Sequence, residues 1–384
     1  MSLPDFSQAP ARIDSAIDKA LTENRVVGTV VLVAHEGRIL HRRAAGLADR
    51  ESDRPMQEDA IFRLASITKP LVTATVLQLV REGRLELQAP VTRYLPDFRP
   101  ALPDGTRPEI TLHHLLSHTS GLGYGFLETA DGPYHRLNVS DGLDQPGLGL
   151  QENLARLAAA PLAFAPGTGW RYSLGLDVLG GVLEAVEGRG LAEIVREKVT
   201  GPLGLADTDF AVRDTARLVT PYADGTPRPV PMAEGIEVPV FGTTARFAPS
   251  RILDPKSYPS GGAGLAGTAD DILQFLETLR MGGAPILDPE TIDLMAADHV
   301  GPRAETQGLG WGFGYGSAVL VDPGPTGTPQ APGTLQWGGA YGHSWFIDRA
   351  NHLCVVALTN TAFEGMSGAF PTDIRDAVYG SIAD

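Results

Sequence analysis

Strand-like sequence sits at both ends of this chain, and the long stretch between them is patterned for helix. VVGTVVLVAHEGRILHRRAAGLAD, Val26 to Asp49, is a β-branched run interrupted at His35-Glu36-Gly37. It predicts two strands joined by a tight turn, hence an antiparallel hairpin. The same signal returns near the end in GWGFGYGSAVLV, TLQWGGAYGHSWFIDR and HLCVVALTN. Strands at both ends with helices between them put the termini in one sheet and make the helical portion an insertion. The expected fold is α+β, an antiparallel sheet flanked by helices and built from residues 1–84 and 261–384. A mostly helical domain with an irregular covering segment, residues 85–260, is inserted into it.

The helical expectations rest on apolar spacing. Ile13, Ile17 and Leu21 recur four apart, predicting a helix over Arg12 to Leu21. Val72, Val76, Leu79 and Val80 make one face of a helix that starts near Ser66, with Gly83 as its stop. Further helices are expected at Thr111 to Ser117, Gln151 to Ala159, Gly175 to Val186 and Leu191 to Val199. Between Pro221 and Gly264, proline and glycine break any helical period, and the segment reads as irregular cover anchored by Ile236, Val238, Val240, Phe241, Phe247 and Ile252. Thr268, three residues before Asp271, is placed to cap a helix through Ile272, Phe275, Leu276 and Leu279, and a last helix is expected from Pro371 to about Ile382.

Charge narrows the partners. A formal charge of -15, from 46 acidic against 31 basic residues, repels both a phosphate backbone and an anionic membrane surface, so neither nucleic acid nor membrane is expected as a partner. No apolar run is long enough to span a bilayer. The leading residues carry acids early and do not match a secretory signal. Cys354 is the only cysteine, so the fold needs no oxidising compartment, and its setting in LCVVALTN reads as a buried inert thiol. The expected location is the cytoplasm.

FRLASITKP sets Ser66 and Lys69 three residues apart at a helix start. A serine hydroxyl is a poor nucleophile until a neighbour takes its proton. Helical residues three apart share a face, which brings the amine over the serine oxygen. The helix start adds free backbone N–H groups and a positive dipole end, both suited to a developing oxyanion. Pro70 forfeits little there, since N–H groups of the first turn lack helical partners anyway. Such a lysine has its charged form disfavoured and can act as a base near neutral pH. Alone, the tetrapeptide is a weak signal, better read as a serine helix cap with a solvated lysine. GWRYSLGLD, which places Tyr172 before a helical run, and WGGAYGH, a glycine-bearing strand whose backbone can approach a substrate, supply the remaining candidates.

Eight stretches spanning nearly the whole chain carry a resemblance: FRLASITKP, LHHLLSHTSGLGYG, GWRYSLGLDVLG, FAPSRI, YPSGGAGLAGTADD, GWGFGYGSAVL, LQWGGAYGHSWFID and LTNTAFEGMSG. In them the chain resembles the family VIII carboxylesterases, EstB-type bacterial members above all. These share a fold with class C β-lactamases and the DD-peptidases that bind penicillin. The resemblance implies a serine esterase that cleaves short-chain carboxylic esters through an acyl-enzyme, can pass the acyl group to alcohols and can deacetylate cephalosporin-type esters. It implies Ser66 as nucleophile, Lys69 as its proton partner and Tyr172 as general base and acid. The oxyanion hole falls to the backbone N–H groups of Ser66 and Ala340, and substrate binding to Tyr124, Trp337, Gly338, Gly339 and His343. It requires no cofactor and no metal, and a small-molecule ester is the expected partner.

Two departures separate the chain from the β-lactamases it resembles. Their tyrosine motif carries an asparagine two residues on, where this chain has Leu174, and their K-T-G motif is replaced by Trp337-Gly338-Gly339. Without that lysine a substrate carboxylate has no evident cationic anchor, so an uncharged ester fits better than a penicillin. A β-lactamase or D-amino-acid peptidase on the same scaffold is the rival reading. Trp337, Tyr341, Trp345, Phe126 and Phe241 are expected to make the pocket apolar enough for an alcohol to compete with water. Other chemistries find little support. No G-x-S-x-G occurs. His114 and His118 have the spacing of zinc ligands, but the residues between them supply no glutamate. Ser140-Asp141-Gly142 departs from S-D-N in its third residue and reads as a turn.

Overall fold

The computed structural model describes residues 6–301, 304 and 306–380. Its centre is an eight-stranded antiparallel sheet made of β1 (Gly28–His35), β2 (Arg38–Asp49), β3 (Arg54–Pro55), β4 (Trp311–Phe313), β5 (Ala318–Leu320), β6 (Leu335–Gly339), β7 (His343–Asp348) and β8 (Leu353–Thr359). The strands lie in the order β4-β5-β6-β7-β8-β1-β2-β3. The seam joining the two ends of the chain is the β1–β8 pair, in register from Thr29 opposite Thr359 to His35 opposite Leu353. As the strand pattern predicts, the first hairpin and the closing strands share one sheet.

The run TVVLVA in β1 is apolar without alternation because both faces of the strand are covered. Val30, Leu32 and Ala34 enter the large central core, whereas Val31 and Val33 enter a second core on the other face. That second core is closed by helix α1 (Ala9–Thr22), through Ile13 and Ile17, and by the closing helix Ala369–Tyr379, through Phe370, Ile374 and Val378. Each such side chain removed from water contributes about 1.5–3 kcal/mol.

Helix α2 (Thr68–Arg81) runs through the central core, with every residue from Thr68 to Leu79 shielded from solvent. The helix Ala269–Arg280 packs on β8 and β1, and the Thr268 hydroxyl accepts the Asp271 N–H as the capping spacing predicts. Helices Leu112–Leu116, Leu150–Ala159 and Gly175–Glu187 appear where apolar spacing places them. The Leu191–Val195 helix differs from expectation by passing into a wider π turn over Arg196–Thr200.

The covering segment is more regular than its composition implies. Ile236–Val240 and Thr243–Phe247 form a β-hairpin turning at Phe241-Gly242, and Val238, Val240, Ala245 and Phe247 pack with Tyr341 and Ala362 in a separate small core. Pro239 obscures the alternation, but a two-stranded hairpin is all edge and tolerates a residue with no N–H. Helices at Pro289–Ala296 and Ala362–Ser367 are additions to the expected set. The closing helix begins at Ala369, and its expected end at Ile382 lies outside the described residues. Among the described residues no helix is long and apolar enough to cross a membrane.

Candidate active site

The chain reaches Ser66 along a constrained path. Phe62–Arg63 pairs with Ala266–Gly267, and Ala65 then takes a φ of 45°, the left-handed region that a residue with a Cβ enters at a cost of about 1 kcal/mol or more. One 3-10 turn, Ala65–Ile67, leads directly into α2 at Thr68. The Thr68 hydroxyl accepts the Leu265 N–H at 3.0 Å, tying the helix start to the segment that carries Gly262.

Four side chains form one hydrogen-bonded chain. Ser66 Oγ accepts from Tyr172 Oη at 2.8 Å and from Lys69 Nζ at 3.1 Å. The Tyr172 oxygen accepts in turn from the Trp337 indole N–H at 3.1 Å. Lys69 also donates to the Gly262 carbonyl at 2.8 Å, and its amine sits 4.6 Å from the centre of the Tyr172 ring. The phenol ring is wedged between Tyr124 and Trp337, at 4.9 and 5.0 Å between centroids. Groups more than 270 residues apart in sequence thus meet at one hydroxyl.

The electrostatics of the four are unequal. Lys69 is fully buried, and desolvation holds its amine down to about 7, opposed by the carboxylate of Asp177. Burial moves the Tyr172 phenol the other way, well above its usual range, although Ser66 and Trp337 bond to its oxygen. Asp177 is itself pushed up by burial, against the opposing pull of the Ser260 hydroxyl and the Lys69 amine. It packs against Gly262: a Cβ there would lie 2.6 Å from Asp177 Oδ2, 2.9 Å from Tyr124 Oη and 3.4 Å from Lys69 Nζ.

Above Ser66 opens a cleft of about 880 Å³. Of the residues expected to bind substrate, Tyr124, Trp337 and Gly338 line it, and so does Ala340, in the turn between β6 and β7. Gly338 has no room for a side chain, since a Cβ would lie 2.6 Å from Met366 Cγ. Gly339, His343 and Tyr341 are not among the lining residues. Gly339 and His343 stand behind the wall: His343 is buried, its Nε2 is 2.8 Å from the Arg63 carbonyl and its ring meets Phe62 edge-on. They pair with each other across the β6–β7 ladder. Tyr341 likewise belongs to the small hairpin core, whereas Phe126, Phe241 and Trp345 do border the cleft. Leu174 is fully buried in the central core and does not face the cleft.

Two cleft residues escape a reading of the sequence. Asp141 lines the cleft, and its carboxylate accepts the Gly125 and Phe126 N–H groups at 2.7 and 3.0 Å, fixing the loop that carries Tyr124. Burial raises that carboxyl to about 8. S-D-G is the turn it reads as, with Gly142 at φ 79°, and nothing local signals that the aspartate points into a cavity. Trp170 also lines the cleft, two residues before Tyr172. The histidines are otherwise occupied: His114 completes a capping box with Thr111, and His118 bonds to Ser173. No cluster of three or more metal-ligating side chains exists among the described residues.

Comparison with known proteins gives the chain a family and relatives. Residues 13–378 match the family model described as Beta-lactamase. The chain is 57% identical to Esterase EstB of Burkholderia gladioli over 379 residues, 98% of this chain and 96% of the relative. It is 30% identical to Lovastatin esterase of Penicillium rubens over 383 residues, 90% of this chain and 91% of the relative. Among solved structures, EstCE1, a hydrolase with promiscuous acyltransferase activity, superposes with a TM-score of 0.95 at 50% identity, covering 97% of this chain and 99% of that one.

Proposed function

This chain belongs to the beta-lactamase family, and from that premise we propose that it is a serine carboxylesterase of the family VIII type. Its activity is hydrolysis of short-chain, uncharged carboxylic esters, with acyl transfer to alcohols on the same acyl-enzyme. One observation carries the reading: a single hydroxyl, that of Ser66, receives both a buried amine and a buried phenol at the floor of a large cleft.

The directions of the pKa shifts divide the proton work. With its amine held near neutrality, Lys69 is the better acceptor, while Tyr172 keeps its proton at working pH and is the better donor. As Ser66 Oγ bonds to the ester carbonyl carbon, its proton passes to Lys69. The carbonyl oxygen takes up negative charge and is held by the backbone N–H groups of Ser66 and Ala340. When the C–O bond to the alcohol breaks, Tyr172 protonates the leaving oxygen, and Lys69 returns a proton to the phenolate. Water or a second alcohol then attacks the acyl-enzyme by the reverse route.

Trp337 makes the site an esterase site. An indole can donate to the Tyr172 oxygen but, unlike an ammonium, offers no anchor to a substrate carboxylate. The single cysteine, Cys354, is buried in β8, so the fold is independent of an oxidising compartment and fits a cytoplasmic place of action.

Mixing the enzyme with p-nitrophenyl butyrate and recording the intact mass tests the assignment. The expected result is one butyryl group on the peptide containing Ser66, absent from Ser66→Ala. Added benzyl alcohol should yield benzyl butyrate beside butyrate. A protein that turns over a chromogenic cephalosporin but no ester would reverse it.

A further inference from the structure

We propose that His118 is the positioning residue of Tyr172, gripping the main chain on both sides of the phenol and so setting its distance to Ser66. This rests on the proton-carrying role given to Tyr172 above.

The grip has two points. The Arg171 N–H donates to the His118 carbonyl at 3.0 Å. On the other side of the tyrosine, the Ser173 N–H donates to His118 Nδ1 at 3.2 Å, with the Ser173 hydroxyl 3.0 Å from the same nitrogen. One residue thus holds the main chain of both neighbours of Tyr172. Because Nδ1 accepts from a backbone N–H, the ring proton sits on Nε2. Burial and the nearby Lys69 amine keep the imidazole neutral, so that acceptor persists across the working pH range.

The ring also backs the phenol. Its centroid lies 4.9 Å from that of Tyr172 at 62°, and it is completely buried, with no hydrogen-bond partner on Nε2 among the described residues. The main chain is committed as well: His118 has a φ of 57°, a left-handed conformation that strains a residue of this size. A strained backbone, an acceptor spent on one N–H and an unbonded buried nitrogen make a poor arrangement for stability alone. They suit a residue that fixes something else, and a loosening of about 1 Å in reacting groups costs on the order of 100-fold in rate.

Two substitutions separate the grip from the backbone conformation. Asparagine tolerates the left-handed region and carries an amide oxygen near the place of Nδ1, whereas glycine accepts the conformation but has no acceptor. Each variant is assayed with p-nitrophenyl butyrate, with rates expressed per Ser66 that can be acylated. His118→Asn should keep kcat within about threefold, while His118→Gly loses about 30-fold or more with KM nearly unchanged. Equal kcat in the two variants, or a loss confined to KM, overturns the proposal. Should His118→Gly not fold, His118→Gln takes its place, since its acceptor lies one methylene too far: kcat must fall about tenfold or more, and wild-type kcat overturns the idea. If the wild-type enzyme itself forms no acyl-Ser66, the assignment of function fails instead, which the acylation count reveals before any variant is compared.

Discussion

The indole nitrogen of Trp337 lies 3.1 Å from the oxygen of Tyr172, the same oxygen that stands 2.8 Å from the Ser66 hydroxyl. A neutral donor therefore occupies the flank of the phenol, and it strengthens as negative charge appears there when the proton leaves.

Removing that donor alone should slow chemistry more than binding. A hydrogen bond to a charged group contributes about 1.5–3 kcal/mol, so Trp337→Phe is expected to lower kcat about 10- to 100-fold. Steady-state kinetics on a p-nitrophenyl ester check this, and a change in KM without one in kcat contradicts it.

The pH profile should report Lys69. Its amine, held down to about 7, is protonated and unable to accept below that pH, so kcat/KM should fall about tenfold per unit on the acid side and level off above it. Asp177 favours the ammonium form. Asp177→Asn removes that support, and the acid limb of the profile should move to lower pH. A limb that stays in place or moves up would show that another group titrates.

Gly262 should not accept even a methyl group. An added Cβ meets Asp177 Oδ2 at 2.6 Å and Tyr124 Oη at 2.9 Å, all within the buried surroundings of the Lys69 amine. Gly262→Ala is expected to cost about tenfold or more in kcat by shifting that amine from Ser66, with the ester KM little altered. Full activity in a folded variant would mean the amine's position is not critical.

Restoring the asparagine of the β-lactamase motif should confer nothing. Leu174 is buried in the central core, so Leu174→Asn puts an amide among apolar neighbours at a cost of about 3 kcal/mol or more. A lower urea midpoint with no cephalosporin turnover is the expected pair of results, and gained lactam turnover would place the side chain in the cleft after all.

How far these features can be read from residues alone depends on where the deciding contact lies. β1 is legible because its uninterrupted apolar run is itself the mark of burial on two faces. Ser66 and Lys69 are legible because helical spacing brings them together locally. The Phe241-Gly242 hairpin hides behind Pro239, whose exclusion from ladders is a rule for central strands and does not bind an isolated pair. His343 carries no local sign of its surroundings: the ladder sets it against Gly339, and its ring meets Phe62 edge-on. Asp141 and Asp177 carry no local sign at all: their roles come from the cavity and the amine that tertiary packing brings to them.

The seam between β1 and β8 also imposes a schedule. Thr29 finds its partner only when Thr359 has been made. At ordinary elongation rates that is a delay on the order of half a minute, during which the amino-terminal hairpin has no lasting neighbour on one edge. Ribosome-bound chains therefore cannot finish the sheet early, and a nonsense codon ahead of the final strand would remove the central joint and not merely a tail.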